Sequence, residues 1–214
     1  VSLKCAVATQ AYVNVDNGIE MLELVDKKYS IKKSGEKIID KDKNKDMRQM
    51  IAIGINNSKF VWTGKNTLDY KSSIVGNDYI VAGNCLSSIN VLKKTALYFE
   101  KNRSVDFPLR LINSIIAGDK AGGHIKKISY YSKKLKRNIS KSTKSVFGNS
   151  WSSALIIASN KPKIWHNLRV DAHLDPLNEL KKIYNSTISS AKKLNKFYNG
   201  AIEVKPSYWR RIIK

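Results

Sequence analysis

A chain of 214 residues with 42% hydrophobic content has the composition of a globular domain and not of a disordered segment. It is long enough for one full core and short for two domains. The formal net charge of +22 suggests a polyanion partner, yet only 7 of the 39 basic residues are Arg, and the forks that read phosphates and base edges favour Arg over Lys.

The opening "VSLKCAVATQ" has no Met and no basic start leading into an apolar stretch. The expectation is a chain that begins at a fragment boundary or processing point and resides in the cytoplasm. No apolar run reaches the roughly 18 residues of a membrane span. Cys5 and Cys85 are too few for a disulfide framework or a zinc site, and read as reduced, buried thiols.

In chain order, 6–13 ("AVATQAYV") predicts a buried strand that runs into a polar loop at Asn14. Helical spacing of Ile19 and Leu22 predicts a helix over 19–25, and Ser30 is placed to cap a second one. "RQMIAIGI" (48–55) and "KFVWTG" (59–64), joined by Asn56-Asn57-Ser58, predict a hairpin. A strand at 78–84 precedes an amphipathic helix over 87–101. A further helix over 107–123 has Pro108 in its first turn and Gly122-Gly123 at its end. Residues 125–149 form a basic insertion: no acid occurs between Asp119 and Asp171, and 125–148 carry 8 basic residues. Such a run reads first as a solvated segment and second as a binding arm. Strands at 152–159 and 164–173 follow, with a turn at Asn160-Lys161-Pro162, and Asp175-Pro176 opens a long helix. The tail "IEVKPSYWRRIIK" has no clear period. Segregated strand runs and helix pairs predict an α+β domain spanning 1–214. The apolar continuity of its strands predicts a helix–sheet–sheet–helix sandwich.

No phosphate loop, dinucleotide fingerprint or zinc spacing appears, and "GNSWSS" is not a G-x-S-x-G nucleophile elbow. No cofactor and no metal are expected, although Asp171, His173 and Asp175 form a conceivable ligand set. In "LRVDAH" (168–173), the strand period of two puts Arg169, Asp171 and His173 on one side. Leu168, Val170 and Ala172 then take the packed side. Two readings stand for that polar side: a site, or a wet strand edge with Arg169 paired to Asp171.

Six stretches, taken in order, carry a resemblance: "AVATQAYVNVDNGIEMLELV" (6–25), "RQMIAIG" (48–54), "TG" (63–64), "VGNDYIVAGNCL" (75–86), "AGDKAGG" (117–123) and "LRVDAHLDPLNELKKIY" (168–184). Together they resemble the bacterial and archaeal family called domain of unknown function 1028, from Ala6 to about Tyr184. That family is grouped with the N-terminal-nucleophile hydrolases. The resemblance therefore implies a four-layer αββα sandwich, incomplete here at its N-terminus, with the nucleophile position outside this chain; Ser2 and Cys5 are poor substitutes for it. It implies hydrolysis of an amide bond in a small or peptide-like substrate. Asn14 and Asn84 would serve as oxyanion donors, and Asp171 and His173 would handle the proton. Thr9, Gln10, Arg48, Gln49 and Arg169 would bind substrate. Each has a structural alternative, Asn14 and Asn84 as turn formers and Thr9 as a strand residue. The rival functions are a non-catalytic binding module on the same fold, and weak polyanion binding through 125–148. The oligomeric state stays open.

Overall fold

The structure, a computed structural model, describes residues 4–132, 134–142, 151–158, 165–199 and 201. Ser2, the turn at 160–162, the first half of "GNSWSS" (148–150) and the tail from 202 lie outside the described residues. The chain divides into two compact units, Val1–Lys101 with Ala117–Ile125, and Asn102–Ile116 with Lys126–Lys214. Both mix helix and antiparallel strand, so the α+β expectation holds.

Unit 1 is built on an antiparallel sheet of order β1 (Cys5–Ala11), β2 (Arg48–Gly54) and β3 (Lys59–Thr63). The 48–64 hairpin forms where predicted. Helices α1 (Val15–Asp26) and α2 (Ile31–Lys41) cover one face, burying Met21, Val25, Ile38 and Ile39 against Cys5, Met50 and Ala52. The first helix starts four residues earlier than its apolar spacing suggests. Asn14 is not loop but the N-cap, its side chain accepting the Asp16 N–H at 3.2 Å, which supplies one of the partners a first turn lacks. Ser30 caps α2 as expected. Gly35 lets α2 approach the sheet closely: a β-carbon there would lie 2.4 Å from the Phe60 ring.

Strand β4 (Ser72–Val75), which the sequence reading passed over, pairs with β5 (Ile80–Gly83), and β5 packs against β2. Helix α3 (Asn90–Lys101) closes this small sheet through Val91 and Leu92 against Ile74, Val81 and Leu86. Helix α4 (Phe107–Lys120) begins in unit 2 and ends in unit 1. Gly122 and Gly123, both at positive φ, reverse the chain after it, so that His124 bridges to Leu86.

In unit 2 the basic insertion forms a hairpin of β6 (Lys127–Ser132) and β7 (Arg137–Ser142). Strands β8 (Trp151–Ala158) and β9 (Trp165–His173) form a second antiparallel pair. Helix α5 (Pro176–Phe197) packs Leu180 and Tyr184 on Leu155, Leu168 and Val170. Among the described residues no helix is long and apolar enough to cross a membrane.

Candidate functional site

Strand β2 alternates its side chains, so Met50 and Ala52 lie under α1 and α2 while Gln49 points to the opposite face. The register sets Gln10 of β1 directly across from Gln49, on that same face. Gln49 is 1% exposed, so its amide must find partners inside the protein. Its Nε2 donates toward Thr63 Oγ1 at 3.0 Å and toward the backbone oxygens of Ser72 and Gly83 at 3.2 Å each. Two carbonyls can only accept, which fixes the nitrogen end of this amide. Its Oε1 therefore faces the other way, where it accepts N–H groups from Gln10 at 2.5 Å and Asn84 at 3.1 Å. Both outer amides are only partly buried, and each keeps one N–H and its carbonyl oxygen without a partner among the described residues.

Asn84 precedes Cys85, which has φ of +55°, a conformation rarely taken by a residue with a side chain. Burial pushes the Cys85 thiol pKa up, which disfavours the thiolate. His124 sits beside this turn, bridged to Leu86. Its imidazole hydrogen-bonds the Cys85 backbone; the residue is exposed to solvent, and partial desolvation by the surrounding chain lowers its pKa against the opposing pull of Asp119.

Arg48 and Gln49 were expected to serve one substrate, but the strand period places them on opposite faces. Arg48 shares the helix face and forms a buried ion pair with Asp42, Nε to Oδ2 at 2.8 Å, with side chains 9% and 7% exposed. It also donates to the Tyr12 carbonyl, with its guanidinium 4.9 Å from the centre of the Tyr12 ring. Asp42 accepts from Asn17 at 2.6 Å, and Asn17 Oδ1 accepts from Asn14 at 3.0 Å. The Arg48 hydrogen bond is the main reason the Asp42 carboxyl lies below its usual pKa. This network ties β2 to the ends of β1, α1 and α2, and it occupies Arg48 and Asn14. Thr9 lies on the same face, with its methyl group toward Gly18. Asn17 and Asp42 were missed; the readable signal was a polar residue in the apolar 17/21/25 stripe of α1.

In unit 2 Arg169 and Asp171 do share a face. They form an ion pair at 3.0 Å with side chains 63% and 64% exposed. Alternation stops there. Ala172, expected to pack, is exposed and has φ of +55°, at a bulge where Trp151 pairs with His173 and Ser153 with Val170. His173 is exposed, and its Nδ1 accepts the Asp175 N–H at 3.0 Å. Asp175 caps α5 through Asn178, whose hydrogen bonds lower the Asp175 pKa. Among the described residues no three His, Cys, Asp or Glu side chains come together as a metal ion would require.

The family model described as "Family of unknown function (DUF1028)" matches residues 2–134. The match spans Gln10, Gln49, Asn84 and His124 and stops short of "LRVDAH", which the sequence reading had included. No curated protein matches the chain. Among solved structures, the chain is similar to the crystal structure of protein SPO2555 from Silicibacter pomeroyi, which carries the same family's name. The identity is 20% over 85% of this chain and 69% of that one, with a TM-score of 0.62, a likeness of fold. With more than half of its length matched, the chain belongs to the DUF1028 family.

Proposed function

We propose that the protein binds a small or peptide-like molecule through an amide group, at the Gln10–Gln49–Asn84 face of unit 1, and hydrolyses an amide bond in it. The observation that carries this reading is the saturation of Gln49. Its oxygen holds Gln10 and Asn84 in place, and each keeps one N–H and one carbonyl without a partner among the described residues. A donor beside an acceptor complements a peptide group, and fixed partners lower the ordering cost of binding. The strained Cys85 next to Asn84 also supports a site here. His124 adds an imidazole that its lowered pKa keeps in the basic form at neutral pH, as a general base requires. The N-terminal-nucleophile sandwich is the fold this reading expects.

Binding without turnover is the second reading. The Cys85 thiol beside Asn84 favours it, because burial makes Cys85 a poor thiolate. The test is titration with a panel of N-acetyl dipeptide amides, followed by mass spectrometry of the mixture. Gln10→Ala and Asn84→Ala are each expected to weaken binding about tenfold, the loss of roughly one hydrogen bond. Binding without product selects the second reading. Unchanged binding in both variants removes the site.

A further inference from the structure

The basic hairpin of unit 2 is independent of the amide face. Its strands pair in unbroken register from Lys127–Ser142 to Ser132–Arg137, which makes a ribbon about 20 Å long at roughly 3.4 Å per residue. Lys126, Lys127, Lys134, Lys136, Arg137 and Lys141 are all exposed. None pairs with a carboxylate among the described residues, and the sequence has no acid between Asp119 and Asp171. Strand alternation directs Lys127 to one face and Arg137 and Lys141 to the other, so charge surrounds the ribbon.

We propose that this hairpin is a sequence-blind binding ribbon for double-stranded nucleic acid. A two-stranded ribbon matches the width of a major groove, about 12 Å. Over about 20 Å of duplex axis it meets roughly a dozen phosphates. Lysines dominate, and lysine supplies point charges to phosphates rather than the forks that read bases. An anionic membrane surface fits less well. Leu135, 50% exposed, is the one apolar residue in the 134–137 turn, and a lone apolar side chain anchors weakly even with basic neighbours.

The test is fluorescence anisotropy of the full chain with two labelled DNA duplexes of equal length and unrelated sequence. Both are expected to bind equally at about 50 mM salt, and to lose on the order of a thousandfold in affinity by about 200 mM, as six phosphate contacts predict. The variant K134Q/K136Q/R137Q should keep its melting temperature, bind at least tenfold more weakly, and show about half the salt slope. The charge-matched control K192Q/K193Q/K196Q, on an exposed stretch of α5, should bind nearly as the parent does. Equal losses in both variants would show that net charge alone attracts the duplex and would overturn the proposal. So would absence of binding at low salt, a sequence preference that persists at about 150 mM, or binding to phosphatidylserine vesicles without binding to DNA.

Discussion

Removing the Gln49 side chain leaves the partly buried Ser72 oxygen and the buried Gly83 oxygen without this donor. A buried group stripped of its partner costs about 1–3 kcal/mol. Gln49→Leu, similar in volume, should therefore lose about 3 kcal/mol in a urea melt, and a loss below about 1 would mean water replaces the amide. Arg48 and Asp42 behave differently, because breaking a buried pair strands a charge. Asp42→Ala should cost about 3–5 kcal/mol, and Asp42→Leu with Arg48→Met should cost clearly less than that single change, as apolar replacement of whole buried pairs does. Ser34 is buried, and its hydroxyl has no partner among the described residues. Ser34→Ala should be neutral or stabilise by up to about 1 kcal/mol.

Elements were legible where local chemistry decided them. The hairpin of β2 and β3, the Asp175 cap with Pro176 behind it, the apolar stripe of α5 and that of α3 from Leu92 onward could be read directly, whereas Ile89 precedes α3 and is exposed. The four-residue β4 was not, because Lys71 to Val75 has the length and composition of a connection and becomes strand only by pairing with β5. Which side of β2 each residue takes was legible in principle: the period of two already separated Arg48 from Gln49. The bulge at Ala172 was not, since nothing in "VDAHL" demands a left-handed residue. Gly35 was equally silent, because its role appears only when Phe60 packs over it. Gly35→Ala improves helix propensity by about 1 kcal/mol, but the ring sits where the methyl would go. The net expectation is a loss of about 1–2 kcal/mol, read as a lower melting midpoint. A rise would mean that Phe60 moves aside freely.

For the whole molecule, pH dependence follows from groups whose pKa differs between folded and unfolded chains. His166, which is buried, and His124, which is exposed but partly desolvated, are both lowered from 6.5, so the folded protein takes up these protons less readily. Stability should be full above about pH 6.5 and decline as pH falls from there through the folded values. Asp42, lowered from 3.8 chiefly by its Arg48 hydrogen bond, contributes stability above 3.8 that is lost as pH falls through its folded value. Melting temperature against pH should thus show two declines. His124→Gln with His166→Gln should flatten the upper one and leave the lower. A first decline unchanged in that double variant would place its origin elsewhere.

The fixed amide at Gln49 also bears on how the chain avoids wrong pairings. If β2 slipped by one residue against β1 so that Gln49 and Ile51 took the places of Met50 and Ala52 beneath the helices, the apolar contact of Ile51 alone would resist only weakly. The slip would, however, drive Gln49 among Met21, Ile38 and Ile39, where no carbonyl or amide answers it, and would leave Ser72 and Gly83 unmet across the other face. Misaligned chains are thereby lifted well above the native one. A residue that contributes little apolar contact of its own thus acts as a proofreader of strand alignment.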